Sequence, residues 1–151
     1  MKKQTISTDL WEVELPEDWR LVESETGQSI YFESPDGAAG AYFLAWRVSQ
    51  PSLRVAVQSM RDTERRSLPR TEQGKWEVMR ESSGGDEAGV DDVVEYFNRE
   101  SCYRIASRIL GRADHCVRFA YHDYSCTEFD RSVSESKEWL ASLTLPEMHD
   151  T

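Results

Sequence analysis

Three arginines set in otherwise apolar strand segments are the side chains of this sequence best suited to binding chemistry. Arg104 and Arg108 lie in one segment, and Arg118 lies in the next one along the chain. If 111–113 form a hairpin loop between the two segments, all three guanidinium groups project from the same sheet face. The opposite face then carries the aliphatic and aromatic side chains Ile105, Ile109, Val117 and Phe119.

This hairpin register places Leu110 opposite Asp114, and a slip by one residue would mix the charged and the apolar faces. Because like charges on one face repel each other, the guanidinium groups require carboxylates, solvent or a bound acidic group beside them. Two interpretations remain open. The arginines pair with some of the 28 Asp and Glu residues of the chain, or they form a recognition face for an acidic group of a partner.

The same register brings one thiol and one imidazole together. Cys102 comes near His122 across the hairpin, which permits the thiolate–imidazolium pair that nucleophilic enzymes use. A cysteine more often serves as a small buried apolar residue, so a hydrolase-like enzyme is only the third hypothesis for this chain. The sequence has neither a nucleophile elbow nor a zinc-ligand spacing nor a phosphate-binding loop, and we therefore predict no cofactor and no metal.

Acidic residues cluster in a segment rich in Gly and Ser, 82–92, which we predict to be a solvated loop. Their spacing does not match that of an EF-hand. We expect these carboxylates to meet a protein partner, with two tryptophans near the ends of segments as aromatic anchors. The predicted partner-binding residues are the three arginines together with Asp86, Glu87, Asp91, Asp92, Trp19 and Trp76.

The elements that must position these residues follow the order β-β-β-α-β-β-β-β-α. An opening strand alternates apolar Trp11, Val13 and Leu15 with glutamates. A Pro-Asp-Gly turn within 34–37 predicts a hairpin. Its second strand, 41–48, has few polar residues on either face, as is typical of a central strand.

Two helices complete the predicted order. Pro51 opens a helix that runs to about Leu68, with an apolar stripe toward the sheet and Arg61 among the residues that face water. Thr127, with Asp130 in the next turn, predicts a capping box at the start of a C-terminal helix. The apolar spacing of that helix indicates that one face docks on the sheet.

Length and composition limit the function. The 151 residues suit one domain, which we place at 1–151 with frayed ends at 1–8 and 147–151. The net charge of −10 argues against binding to nucleic acid and favours a basic protein partner. No apolar run reaches the roughly 20 residues of a membrane helix. Three cysteines and no secretion signal indicate free thiols in the cytoplasm.

The opening stretch Trp-x-Val-x-Leu-Pro-x-x-Trp, Trp11 to Trp19, resembles the first strand of the PsbP-like proteins. This family includes the Mog-type Ran-binding proteins and the bacterial DcrB-like proteins. A hairpin, a helix, a meander of strands and a final helix ending Trp139-Leu140-x-x-Leu143 continue the resemblance. It implies an α/β/α sandwich around an antiparallel sheet of about six to seven strands, with a helix after strand 3 and a C-terminal helix. It also implies a binding protein rather than an enzyme, and it carries over no functional residue.

Two functions follow from these observations. The first is an immunity protein that neutralises a bacterial toxin or a secreted effector, for example one of type VI secretion, by stoichiometric binding. The second is a chaperone or adaptor for a secretion-system effector, which would need an exposed apolar groove. The sequence leaves the oligomeric state and the partner open.

Overall fold

A computed structural model describes residues 2–23, 29–69, 75–86 and 89–146 of the chain. The strands are β1 (Lys3–Ser7), β2 (Glu12–Pro16), β3 (Arg20–Val22), β4 (Ile30–Glu33), β5 (Ala39–Arg47), β6 (Trp76–Asp86), β7 (Gly89–Asn98), β8 (Tyr103–Arg112) and β9 (His115–Asp123). The helices are α1 (Leu53–Arg66) and α2 (Phe129–Ala141).

Seven strands form one antiparallel sheet in the order β3-β4-β5-β9-β8-β7-β6. Helix α1 lies on one face over β7 and β8, and α2 lies on the other face over β8 and β9. A ribbon of β1 and β2 packs beside α2. The predicted α+β class and the α/β/α sandwich are therefore confirmed.

The first helix follows the fifth strand and not the third, because the prediction missed two short strands. Strand β1 lies within 1–8, which we predicted to be frayed, and it pairs with β2 so that Ile6 stands opposite Val13. Strand β3 has three residues, all exposed, at one edge of the sheet. An edge strand this short shows no apolar alternation by which a sequence pattern would identify it.

The predicted hairpin of β4 and β5 is confirmed. The Gly37 amide donates a hydrogen bond to the Ser34 carbonyl at 3.0 Å, which closes the turn. Gly37 has a φ of 70°, a conformation that glycine adopts without steric cost. Strand β5 lies between β4 and β9, so it is a central strand as predicted.

The predicted loop at 82–92 is wrong, because its described residues, 82–86 and 89–92, belong to two paired strands. Ser83 stands opposite Asp92 and Gly85 stands opposite Val90 in the β6–β7 ladder. Strand β6 lies at the sheet edge and exposes most of its side chains. Since ladder hydrogen bonds use only backbone groups, a polar edge strand cannot be told from a loop by polarity.

The predicted register of the β8–β9 hairpin is also wrong. The loop contains only Ala113 and Asp114, and Ala113 has the positive φ, 55°, that a two-residue hairpin loop requires at its first position. Leu110 therefore stands opposite Val117 rather than Asp114. The observed register differs from the predicted one by an odd number of residues, so the side chains of one strand lie on the opposite face relative to its partner. Arg108 now shares a face with Val117 and Phe119, and Arg118 lies on the opposite face.

The helices begin differently from each other. In α1 the Ser52 hydroxyl accepts a hydrogen bond from the Val55 amide, a standard N-cap. In α2 the N-cap is Glu128, without a side-chain cap bond, so the predicted capping box of Thr127 and Asp130 is wrong. The docking of α2 on the sheet is confirmed by its buried residues Ser132, Ser136, Trp139 and Leu140.

The largest part of the core lies between the sheet, α2 and the β1–β2 ribbon. Trp11 stacks on Phe43 with ring centroids 4.4 Å apart, and Phe43 meets Phe119 edge-on at 4.5 Å. Trp19 is buried and packs against Trp139 at 5.2 Å. The alternation of β2 thus points the apolar side chains of the opening motif into this core, as predicted.

Candidate functional site

An ion network lies under α1, where the sequence predicted an outward-facing arginine. Arg61 is 4% exposed, so that prediction is wrong. Its guanidinium donates to the Asp92 carboxylate at 2.7 Å, to Glu64 at 2.7 Å and to the Ser107 hydroxyl at 2.9 Å. It also donates to the backbone carbonyls of Asp92 and Ser107. Every donor of this side chain is satisfied, which a buried arginine requires.

Glu64 joins this network to β9. Its carboxylate accepts hydrogen bonds from Arg118 at 2.6 Å, from the Ser107 hydroxyl at 2.6 Å and from the Tyr96 hydroxyl at 2.5 Å. Burial alone would raise the pKa of Glu64, but Arg118 and Arg61 together hold it below its usual value. The network is balanced in charge, since two guanidinium groups face the carboxylates of Glu64 and Asp92.

On the opposite face, Arg104 and Arg108 hold α2. Arg104 is 1% exposed, pairs with Glu95 and donates to the hydroxyl of Ser136 at 2.8 Å. Arg108 binds Asp91 through two hydrogen bonds of 2.9 Å each. Its remaining amino group donates to the carbonyls of Leu140 and Leu143 at the C-terminal end of α2. A cation at this end also interacts favourably with the helix dipole.

Two interpretations of the three arginines were open, and the structure shows the first, in which they pair within the chain. Each guanidinium pairs with a carboxylate of its own chain, and the three do not share a face. Asp92 and Trp19 are buried and Asp91 is held by Arg108, so the surface proposed below does not include them. Asp86 ends β6, and Glu87 lies outside the described residues.

The structure instead brings together aromatic side chains that are far apart in the sequence. They form what we call the aromatic stripe, on the α1 face of the sheet. All are half-buried, and within the described ranges their ring contacts are to one another. The members of the aromatic stripe are Tyr31, Tyr42, Trp76, Tyr103, His122 and Tyr124. Trp76 is thus the one predicted anchor that lies in it.

Hydrogen bonds fix the polar ends of the aromatic stripe. The hydroxyls of Tyr31 and Tyr42 each lie 3.0 Å from the hydroxyl of Tyr124. The Tyr103 hydroxyl and the His122 Nδ1 share a hydrogen bond of 2.7 Å. Burial, with a smaller effect of the Arg118 charge, lowers the pKa of His122 to about 3, so this imidazole is neutral at physiological pH.

A glycine on β5 makes room for one of these rings. A Cβ atom on Gly40 would lie 2.4 Å from the ring of Tyr31 and 2.6 Å from its hydroxyl. The absence of a side chain therefore lets the ring lie flat across the strand and stack on Tyr42, with centroids 4.3 Å apart. The pairing of β4 with β5 was predicted from the sequence, but the pairing of β5 with β9 was not.

The chemistry of a Cys102–His122 pair has no support in this geometry. His122 stands opposite Ile105 in the ladder, and its Nδ1 is bonded to Tyr103. The Cys102 thiol lies 3.6 Å from the Arg99 carbonyl, in the turn before β8. In the described part of the chain no three His, Cys, Asp or Glu side chains are grouped as metal ligands would be. Neither described helix is long and apolar enough to cross a membrane.

No protein-family model and no curated protein sequence matches this chain. Solved structures do match it. A solution structure of cyanobacterial PsbP from Synechocystis aligns with a TM-score of 0.71 and 12% identity over 96% of this chain and 92% of the other. The Ran-binding protein Mog1p of Saccharomyces cerevisiae aligns with a TM-score of 0.63 and 11% identity over 96% of both chains.

The protein has a PsbP/Mog1-like fold. A Bacteroides thetaiotaomicron crystal structure also aligns, with a TM-score of 0.52 and 15% identity over 93% of this chain and 46% of the other. Identities this low show the fold alone, so the likeness identified from the opening tryptophan motif is confirmed at the level of the PsbP/Mog1-like fold. Functional residues must be argued from this chain's own side chains.

Proposed function

We propose that this protein acts by stoichiometric binding of a protein partner and not by turnover. The observation that carries the proposal is the aromatic stripe. Tyrosine and tryptophan side chains dominate binding energy at protein interfaces, because each combines a large rigid apolar area with a polar end. The tyrosine hydroxyls of the stripe bond to one another and to His122, so these polar groups keep hydrogen-bond partners when a protein partner covers them.

The fold supports a protein partner in a general way. One protein with a PsbP/Mog1-like fold is titled a Ran-binding protein. As the specific function we propose immunity: the protein neutralises a toxin or effector, for example one of type VI secretion, in the bacterial cytoplasm. The net charge of −10 favours a basic partner, whose encounter it would accelerate.

The test is a binding and growth assay with the product of the neighbouring gene. We expect a one-to-one complex that protects cells from that product. Replacing Tyr31 and Tyr42 by Ala should weaken the complex at least about 30-fold, the effect of one strong interface residue. The control replaces Leu10 and Val55 by Ala, two exposed apolar side chains outside the aromatic stripe. Equal weakening by both variants, with folding intact, would refute the role of the aromatic stripe.

The salt dependence of the binding rates distinguishes electrostatic steering of association from short-range contacts in the complex. If the partner is basic, raising the ionic strength should slow association and change dissociation much less. Glu12 and Glu14 are exposed on β2, so replacing both by Gln should slow association without disturbing an ion pair of the sheet. An association rate that does not respond to salt would contradict a basic partner.

A chaperone or adaptor for a secretion-system effector is the second candidate. It is favoured by the consecutive apolar residues Val78 and Met79, both of which are exposed on edge strand β6. A chaperone would bind an apolar segment of its client whatever the client's charge, and it would not abolish a folded toxin's activity. Binding of the partner's isolated apolar segment, with no inhibition of its toxic domain, would decide for this function.

A further inference from the structure

A cleft on the α2 face is separate from the aromatic stripe, which lies on the other side of the sheet. It has a volume of about 420 Å³ and lies between α2 and the strands β6, β7 and β8. It exists because α2 lies over β8 and β9, so the part of the sheet beyond it is open. Small-molecule sites typically measure about 300–1,000 Å³, and the cleft falls within that range.

The lining divides into an apolar part and a charged part. Val93 and Ala106 of the sheet face Val133 and Leu140 of α2, and these four side chains supply the apolar surface. Hydrocarbon bound here would be removed from water on two sides, which favours binding in proportion to the area buried.

The charged part has a surplus of cations. Its two carboxylates are already paired, Asp91 with Arg108 and Glu95 with buried Arg104. Arg80 also lines the cleft, and its side chain is 53% exposed. Its guanidinium lies 3.8 Å from the Glu95 carboxylate, which is a long ion pair. Lys137 lines it from α2 and has no ion-pair partner among the residues that the structure describes.

We propose that this cleft binds a small amphipathic carboxylate of the medium-chain fatty acid class. The hydrocarbon chain lies on the apolar part, and the carboxylate is held by Arg80 and Lys137. A hydrated inorganic anion would leave the apolar surface unused, and a neutral lipid would leave Lys137 without a counter-charge and Arg80 with only its 3.8 Å contact to Glu95. The combination of both surfaces therefore selects an anion with an apolar body.

Calorimetric titration of the full chain with octanoate tests the proposal, with 1-octanol as the neutral probe of the same length. We expect octanoate to bind with a Kd in the millimolar range or tighter, and octanol to bind at least about tenfold more weakly. The variant Arg80→Gln with Lys137→Gln should lose at least about tenfold in octanoate affinity. The control, Arg66→Gln with Lys75→Gln, removes the same two charges from exposed positions outside the cleft and should bind as the natural protein does.

A second variant tests the apolar part. Val133→Trp fills the cleft from α2 and should abolish octanoate binding while leaving partner binding at the aromatic stripe unchanged. Thermal unfolding of each variant checks that it is folded. The proposal is overturned if octanoate does not bind, if octanol binds equally well, or if folded variants of the cleft bind octanoate like the control.

Discussion

Glu64 shows at the scale of one residue how the sheet and α1 are joined. Its side chain is 2% exposed and accepts hydrogen bonds from two arginines. A buried ion pair adds little over apolar packing, but removing one partner leaves an uncompensated charge. Arg118 pairs with this carboxylate, and Arg61 shares its charge between Glu64 and Asp92, so loss of Glu64 leaves the network with an uncompensated positive charge.

Replacing Glu64 by Gln should therefore lower the free energy of unfolding by about 3–5 kcal/mol. The control is Glu81→Gln, because Glu81 pairs with Arg65 on the surface, where side-chain exposures are 55% and 47%. That exposed pair should contribute less than about 1 kcal/mol. Urea unfolding of both variants measures the difference, and equal losses would show that the network does not stabilise the fold.

The lowered pKa of His122 makes the stability of the fold depend on pH. Its pKa falls from 6.5 to about 3 on folding, so the unfolded chain binds one more proton between these values. The stability that comes from this pKa difference is fully present above about pH 6.5. Below that value the free energy of unfolding falls by about 1.4 kcal/mol for each pH unit.

Between pH 6.5 and pH 5, where carboxyl groups titrate little, His122→Gln should flatten the pH dependence of unfolding free energy. The control is Leu10→Gln, which introduces the same side chain at an exposed position that carries no titratable group. It should keep the slope of the natural protein. If both variants have the same slope, His122 does not titrate as its burial requires.

At the scale of the element, α2 is held by polar side chains of the sheet as well as by its apolar face. Arg104 meets the helix near Ser132 and Ser136, and Arg108 meets the carbonyls at its C-terminal end. Carbonyls at a helix end lack partners within the helix, so Arg108 satisfies groups that water would otherwise solvate.

Replacing Arg108 by Met should loosen the end of α2 without unfolding the sheet. We expect the amides of Ser142 and Leu143 to exchange hydrogen at least about tenfold faster, since a hydrogen bond to a charged group contributes about 1.5–3 kcal/mol. The control is Arg112→Met, because Arg112 is exposed at the end of the same strand. Unchanged exchange in Arg108→Met would mean that apolar packing alone holds the helix.

At the scale of the whole molecule, the three thiols report folding. Cys116 and Cys126 are buried and Cys102 is half-exposed, and all three are free. Burial raises the pKa of Cys116 to about 11, which leaves its thiol protonated and unreactive at neutral pH.

A thiol reagent at pH 8 should therefore modify Cys102 quickly and the other two only as the molecule unfolds. Under denaturing, non-reducing conditions the titration should return all three thiols of the chain. Cys102→Ser should remove the fast phase alone. Fewer than three thiols in fresh protein would indicate a disulfide, and rapid reaction of all three would contradict the buried core.

The sequence by itself determined the local structure wherever one face of an element is buried against a core. The alternation of Trp11, Val13 and Leu15 and the Pro-Asp-Gly turn before β5 predicted their elements, because apolar spacing and turn chemistry act over a few residues. It predicted a strand at Lys75–Glu81 but missed the second half of β6, whose polar residues pair only through the backbone at a sheet edge.

Only the tertiary structure decided which side chains meet. A two-residue loop at Ala113 and Asp114 shifted the hairpin by an odd number, which sent Arg118 toward α1 and left Arg108 with α2. The aromatic stripe likewise depends on strand order, since its members come from β4, β5, β6, β8 and the end of β9. Contacts between strands far apart in the chain follow from loop geometry and register, and neither is encoded in the pattern of one segment.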